Sequence, residues 1–465
     1  TIFLLGLKRI RADVAAAGNT VDAKDDEPVT TTSSTEKEVQ RGEDEALPAA
    51  TGAAGVLAKN MPIAMLALAV LVPIKFIYAA ATGASTWTDI FMPIAFSIIA
   101  GAMAMVLYSI RGQGRDKSIV IFTLFFFVVL FWMAFEQAGN ALNLWAEFFT
   151  HRETLGWKYT AEDFQSINAV FIVILAPVFA WLWLWLAKKK LEPSTPMKMA
   201  IAMVFVALSF VAMLGAAVAE NAKSHSVALS AVPSGVDVSK LDAGRMRFDP
   251  AGHELAADGV VAEYVINGAL SDSASPDYKK SLDQAIDAST KAKKDSPVRV
   301  TLAGLPDAFE LPVSKEGKWT WHADSKELEM SAPIEPTDKT GLVNAGAPPE
   351  WRKSIEDLQV KSHDAQVSSF WLVLSYFLAT IGELCLSPVG LSMVTKLAPK
   401  RFASLFMGVW LLSSSVAQYA GGSIGESWGK ITPSAYFNLF IVTSAIGAVI
   451  LFALAMPLKK LMHNT

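Results

Sequence analysis

The chain has 465 residues, 52% hydrophobic and only 18% charged, with six histidines, one cysteine and a formal net charge of −4. Its mean hydropathy is +0.36 and its pI is near 5.9. About a quarter of an ordinary soluble chain is charged, so this balance excludes a water-soluble globular protein, and the mild acidity gives no footprint for nucleic acid.

Residues 1–12 (TIFLLGLKRIRA) read as the end of a preceding transmembrane helix, so further chain is expected upstream. Residues 13–60 are rich in Ala, Thr, Glu, Asp and Gly, nearly without aromatics. They bury too little apolar surface to fold, which predicts a disordered cytoplasmic linker. A bilayer core demands about 20 apolar residues per helix. Windows at 61–82 and 89–110 predict a transmembrane hairpin with Pro73, Pro93 and Lys75 but no polar stripe, packed at the periphery.

Further windows at 118–147, 164–187 and 197–219 place three helices in 118–220. Residues 221–366 form a polar, domain-sized insert. Within it RVTLAGL (299–305), FELPV (309–313), KWTWHA (318–323) and ELEMSA (327–332) alternate as strands do, and 277–295 reads as an exposed helix. A small extracytoplasmic β-rich domain is expected. Windows at 368–395, 402–425 and 434–457 complete the chain over 367–458. Basic clusters at Lys8–Arg11, Arg111–Lys117, Lys188–Lys198, Lys396–Arg401 and Lys459–Lys460 alternate with acidic or mixed ends. Since basic loops stay inside, the insert is expected outside and the C-terminus in the cytoplasm.

Helical spacing turns scattered polar letters into faces. Trp132, Glu136, Asn140 and Asn143 fall at i, i+4, i+8 and i+11, while Tyr376, Thr380, Glu383 and Ser387 repeat at i, i+4, i+7 and i+11. Gln165 pairs with Asn168, and Trp410 with Ser414 and Gln418. Such stripes on apolar bodies fit helices around a wet cavity. Pro388 and Pro177 free the carbonyls of Leu384 and Val173, tolerated in a membrane only where neighbours or cavity water satisfy them. The bland alternatives are backbone-bonded Ser and Thr, amide glue between helices and plain tryptophan packing; a carboxylate at mid-membrane, such as Glu383 or Glu136, marks function by default. GKI (429–431) lacks the rest of a phosphate loop and HELAA (253–257) the second His of a zinc protease. All six histidines lie outside the spans. ATP bound to this chain, zinc and other cofactors are therefore not expected.

FEQAGNALNLWA (135–146), QSINAVFIVILAPVFAWLW (165–183), GELCLSPVGLS (382–392) and MGVWLLSSS (407–415) resemble the proton-dependent oligopeptide transporters of the major facilitator superfamily. The resemblance spans 118–457 and implies an all-α integral membrane fold: helices seven to twelve as a C-terminal six-helix bundle, with 61–110 as the extra hairpin of bacterial members and the N-terminal half missing. It implies Glu136 in extracellular gating and proton coupling, Asn168 in contact with the peptide amino end or backbone, and Glu383 as partner of the substrate ammonium. Ser387 and Trp410 match positions near that pocket and gate, and the faces of Asn140 and Tyr376 add them as substrate-binding candidates. The insert occupies the place where animal members carry immunoglobulin-like modules, a fold its helix at 277–295 does not suit.

The expected function is proton-coupled symport of di- and tripeptides across the cell inner (cytoplasmic) membrane, with the proton as coupling ion. A zwitterionic peptide needs a fixed charge of each sign. Glu383 supplies the negative one; no Lys or Arg lies inside 118–147, 164–187, 368–395 or 402–425, so the positive one must come from the missing half. The partners expected are thus peptides, the lipid bilayer and the N-terminal half. Two other readings stand beside it: the same fold carrying nitrate or a drug, or a membrane-anchored extracytoplasmic binding module.

Overall fold

A computed structural model describes residues 52–81, 91–154, 156–291, 297–307, 309–314 and 316–463. The expected helix end at 1–12 and the expected linker up to residue 51 lie outside the described residues. Helix α1 (Gly52–Ala81) begins inside the segment expected as linker; Ala, Leu and Lys in AAGVLAKN are good helix formers, and Ala54 is buried. Helix α2 (Phe91–Ser109) packs along α1, which also reaches two helices of the bundle described below.

Helix α3 (Gly112–Phe135) does not run on to 147 as expected. It stops at a 3-10 turn, Glu136–Gly139, and α4 (Ala141–Phe148) restarts after Asn140, whose φ −121°, ψ −102° is not helical. Helix α5 (Asp163–Lys188) and α6 (Thr195–Asn221) follow. After the insert come α11 (Phe370–Leu397), α12 (Ala403–Gly425) and α13 (Pro433–Leu461). Seven described helices are long and apolar enough to cross a membrane; the eighth expected span is α2.

Helix α6 is the centre of the bundle, packed on α11 and α13, while α3 holds α12 and α13. Its small residues Ala200, Ala202, Ala207 and Ala216 permit that double contact. Gly382 of α11 sits so near α6 that a Cβ would lie 2.9 Å from the Ala202 carbonyl, the close approach only glycine allows. Helix α5 touches the bundle mainly through α11, and Val173 and Trp181 on it are 75% and 63% exposed. Pro177 and Pro388 lie inside continuous helices, as expected.

The insert is not β-rich, which corrects the sequence expectation. Its two three-stranded antiparallel sheets have strands of four or five residues: β4 (Ser224–Ala228), β5 (Met246–Asp249) and β6 (Glu254–Asp258) in the first, β7 (Val298–Thr301), β8 (Trp319–His322) and β9 (Glu327–Met330) in the second. Four helices outweigh them: α7 (Glu263–Ser273), α8 (Pro276–Lys291), α9 (Pro336–Ala345) and α10 (Pro349–Ser362). Three of the four strand-like runs form strands; FELPV forms none in its described residues, its Pro312 having no amide to donate to a ladder. Where the chain re-enters the bundle, β10 (Val367–Ser368) pairs in parallel with β1 (Thr150–His151), beside the small hairpin β2 (Glu153–Thr154) and β3 (Trp157–Lys158).

A buried cluster fastens the insert to the bundle. Arg245 Nη1 donates to both carboxylate oxygens of Glu220 at the end of α6 (3.0 Å each), and Nη2 to Asp242 (2.9 Å) and the Val260 carbonyl (3.2 Å). Its guanidinium also stands 5.7 Å from the centre of the Phe149 ring. Burial pushes the Asp242 carboxyl above its ordinary value, the Arg245 charge opposing that shift. Asp242 and Ala243 both hold positive φ to bring the carboxylate inward.

Candidate functional site

The break in the first bundle helix and the polar face of α11 meet at one cavity of about 200 Å³, lined by Glu136, Ala138, Gln165, Asn168, Ser375 and Tyr376 among others. Asn168, one turn into the span of α5, donates its amide to Glu383 Oε2 at 3.2 Å. Its carbonyl oxygen takes the Thr380 hydroxyl at 2.6 Å, and that hydroxyl also lies 2.7 Å from the Tyr376 carbonyl. A carboxylate only accepts, so the Asn168 amide must face Glu383 and its oxygen Thr380. Tyr376 Oη reaches the Ala138 carbonyl in the 3-10 turn at 3.4 Å. Glu136, at the first position of that turn, accepts from Gln418 of α12 at 3.5 Å.

Glu383, Asn168, Tyr376 and Glu136 are therefore gathered at one place, with Glu383 held just behind Asn168. The cavity lining includes no Lys or Arg. The remaining candidates lie elsewhere. Asn140 faces α12, where a Cβ on Gly425 would sit 1.9 Å from its amide nitrogen. Trp410 is buried against Gly390 of α11, whose added Cβ would lie 2.4 Å from the indole. The Ser387 hydroxyl is buried without a hydrogen-bond partner.

The stripe Trp132–Glu136–Asn140–Asn143 presumed one continuous helix. The turn at 136–139 resets the helical phase, so Asn143 meets Gln165 (3.2 Å) while Asn140 looks toward α12. The polar stripes do not single out Gln137, though it lies in the same FEQAGN run. Fully buried, it donates to the carbonyls of Met133 (3.1 Å) and Gly421 (3.2 Å) and accepts from Tyr436 Oη (2.6 Å). An amide between two apolar helical stretches was the available signal. Among the described residues no group of three His, Cys, Asp or Glu could hold a metal ion.

A family model described as the POT family (PTR2) matches residues 58–241 and 340–450, more than half of the chain. The chain belongs to the POT family. It is 26% identical over 356 residues to the peptide transporter YePEPT of Yersinia enterocolitica, an alignment covering 76% of this chain and 42% of that protein. It is 24% identical over 341 residues to the uncharacterized transporter YclF of Bacillus subtilis, covering 73% and 40%. A di-/tripeptide transporter of Lactococcus lactis is 37% identical over 99 residues, covering 21% of this chain and 20% of that one. A crystal structure of a peptide transporter POT in complex with sulfate has a TM-score of 0.44 at 21% identity, over 87% of this chain and 54% of that chain. The family is one of multi-pass membrane transporters rather than enzymes, and the chain spans about two fifths of the first two curated relatives it matches.

Proposed function

We propose that this chain is the C-terminal part of a proton-coupled symporter of di- and tripeptides that works by alternating access across the cytoplasmic membrane. In this reading 118–220 and 367–458 form helices seven to twelve, 61–110 is the additional hairpin, and the insert stands outside. The N-terminal half supplies the basic residue that meets the peptide carboxylate, and the proton is the coupling ion.

The contact between Asn168 and Glu383 carries the reading. A half-buried carboxylate with one amide donor is under-solvated, so an arriving ammonium replaces hydration it has already lost. Asn168 shares the cavity wall and orients the acid, with its spare donor capacity free for a peptide carbonyl. Glu136 stands at a helix break, where a change of charge alters how the outer segment α4 is held; protonation there is suited to gating. Tyr376 ties the cavity wall to the same turn, while Ser387 and Trp410 lie on α11 and α12 and Asn140 faces α12. Proton-driven rocking of two bundles about such a midplane site is the general logic of secondary transport.

The test uses the full-length protein in liposomes with an inward proton gradient and labelled dialanine. Glu383→Gln is expected to cut uptake about 100-fold, the scale of a lost charged hydrogen bond. Glu136→Gln is expected to keep counterflow exchange while losing gradient-driven accumulation. Unaltered uptake by Glu383→Gln sinks the assignment. Failure of unlabelled dipeptides to compete points instead to a cargo such as nitrate or a drug, and intact uptake with loss of an outer partner on deleting 225–360 to a binding module.

A further inference from the structure

The insert repeats the same three strands and two helices at a constant offset of 73 residues. Helices α7 and α9 start at Glu263 and Pro336, and α8 and α10 start at Pro276 and Pro349. The strand registers repeat at the same offset: His225 and Met246 pair with Ala257, as Val298 and Trp319 pair with Met330. Each sheet has its third strand in the middle. The hairpin ends Asp249–Glu254 and His322–Glu327 correspond, and each loop closes on a residue of positive φ, His253 (52°) and Lys326 (55°).

Hydrogen bonds beyond the ladders follow the same rule. Leu229 N donates to the His253 carbonyl and Leu302 N to that of Lys326, both at 2.9 Å. Asp258 N donates to the Arg245 carbonyl (3.1 Å) as Ser331 N does to that of Lys318 (2.8 Å). Leu229/Leu302, Leu255/Leu328, Pro276/Pro349, Ser281/Ser354 and Ser289/Ser362 are identical pairs. One offset satisfying register, turn conformation, helix starts and core identities at once is the signature of a duplicated unit.

The second helix of each unit serves the other unit. Helix α8 packs on β7 and β9, and α10 on β4 and β6. Tyr278 of α8 donates its hydroxyl to the Leu342 carbonyl of α9 (2.6 Å), while Trp351 of α10 donates its indole N–H to the Ala269 carbonyl of α7 (3.4 Å). These two bonds interchange when the copies interchange. Only residues 274–275 and 346–348 join the helices, and so short a hinge favours exchange over folding back. The copies also use one basic position differently. Arg245 reaches out to Glu220 of the bundle, whereas its counterpart Lys318 is held within its own unit by Glu316 (2.9 Å), Asp338 (3.0 Å) and Glu335 (3.2 Å).

We propose that the insert is a tandem duplication of one βββαα module with exchanged second helices, in which the first copy docks on the bundle and the sheet of the second closes a separate core with Tyr278, Leu282 and Ala285 of α8. This does not rest on the transport reading, and folding and hydrogen exchange test it without substrate. In the full-length detergent-solubilised protein, deleting 276–348 removes one whole period and joins Ser275 to Pro349. The product is expected to run monodisperse, with a Tm within about 5 °C of the parent, the shift of a kcal/mol or two. Deleting 276–330 strands α9 and is expected to aggregate. In the intact chain Tyr278→Ala should raise amide exchange about tenfold in 298–330 and leave 224–258 protected, with Trp351→Ala doing the reverse. Exchange rising in 224–258 on Tyr278→Ala overturns the helix exchange. A one-period deletion that aggregates as readily as the other overturns the duplication.

Discussion

The amide of Asn168 on α5 stands 3.2 Å from the Glu383 carboxylate on α11, and the same side chain holds the Thr380 hydroxyl at 2.6 Å. One neutral residue thus joins α5, a helix with little burial in the bundle, to the acid on α11. Replacing Asn168 by Ala removes the donor to Glu383 and the acceptor of Thr380 together. Under the proposed function, peptide uptake by the full-length protein is expected to fall about 10- to 100-fold, since hydrogen bonds to charged groups contribute about 1.5–3 kcal/mol. The loss should appear mainly in KM, measured by uptake against peptide concentration; an unchanged KM counts against the site.

Gly259 holds the insert to the bundle by having no side chain. Its φ is +74°, and a Cβ there would lie 2.1 Å from Glu220 Oε1 and 2.9 Å from Arg245 Nη1. Gly259→Ala is expected to cost about 3–5 kcal/mol, the range for breaking a buried ion pair. A thermal melt of the solubilised protein and faster amide exchange across 245–266 would show it.

Gln137 ties the 3-10 turn to two helices at once, through Gly421 and Tyr436. Gln137→Leu leaves the buried Tyr436 hydroxyl without its acceptor, a loss of about 1–3 kcal/mol. Tyr436→Phe on the Gln137→Leu background should then cost less than it does alone. A double-mutant cycle on melting temperature measures that coupling, and strict additivity would refute it.

In the second unit of the insert, a hydrogen bond from His322 (2.9 Å), reinforced by Arg299, holds the Glu329 carboxyl below its ordinary value of 4.5. An acid depressed in the fold contributes its stability above the unfolded value and loses it as pH falls through the folded one. Amide protection of 298–330 should therefore decline as pH drops below about 4.5, and Glu329→Gln should flatten that decline relative to the parent.

Much of this architecture was legible in advance because hydrophobicity is local information. A run of apolar letters specifies a helix for a bilayer wherever it packs, so the bundle helices, the polar insert and Glu383 stood out at once. The break at Glu136–Gly139 did not, because a smooth apolar pattern continues through it. Short strands alternate visibly and so suggest a β-rich insert, while α7 and α9 have weak amphipathic patterns and depend on the neighbouring unit for burial.

By itself, the sequence determined which segments suit lipid, which carboxylates need an explanation, and which family they resemble. Only the tertiary structure decided that Asn168 is the residue facing Glu383, that Asn140 and Trp410 turn to other helices, and that the insert repeats with its helices exchanged. Those outcomes depend on contacts between residues as far apart as 168 and 383 or 278 and 342, whose geometry is set by helix phase and chain connection rather than by the letters on either side.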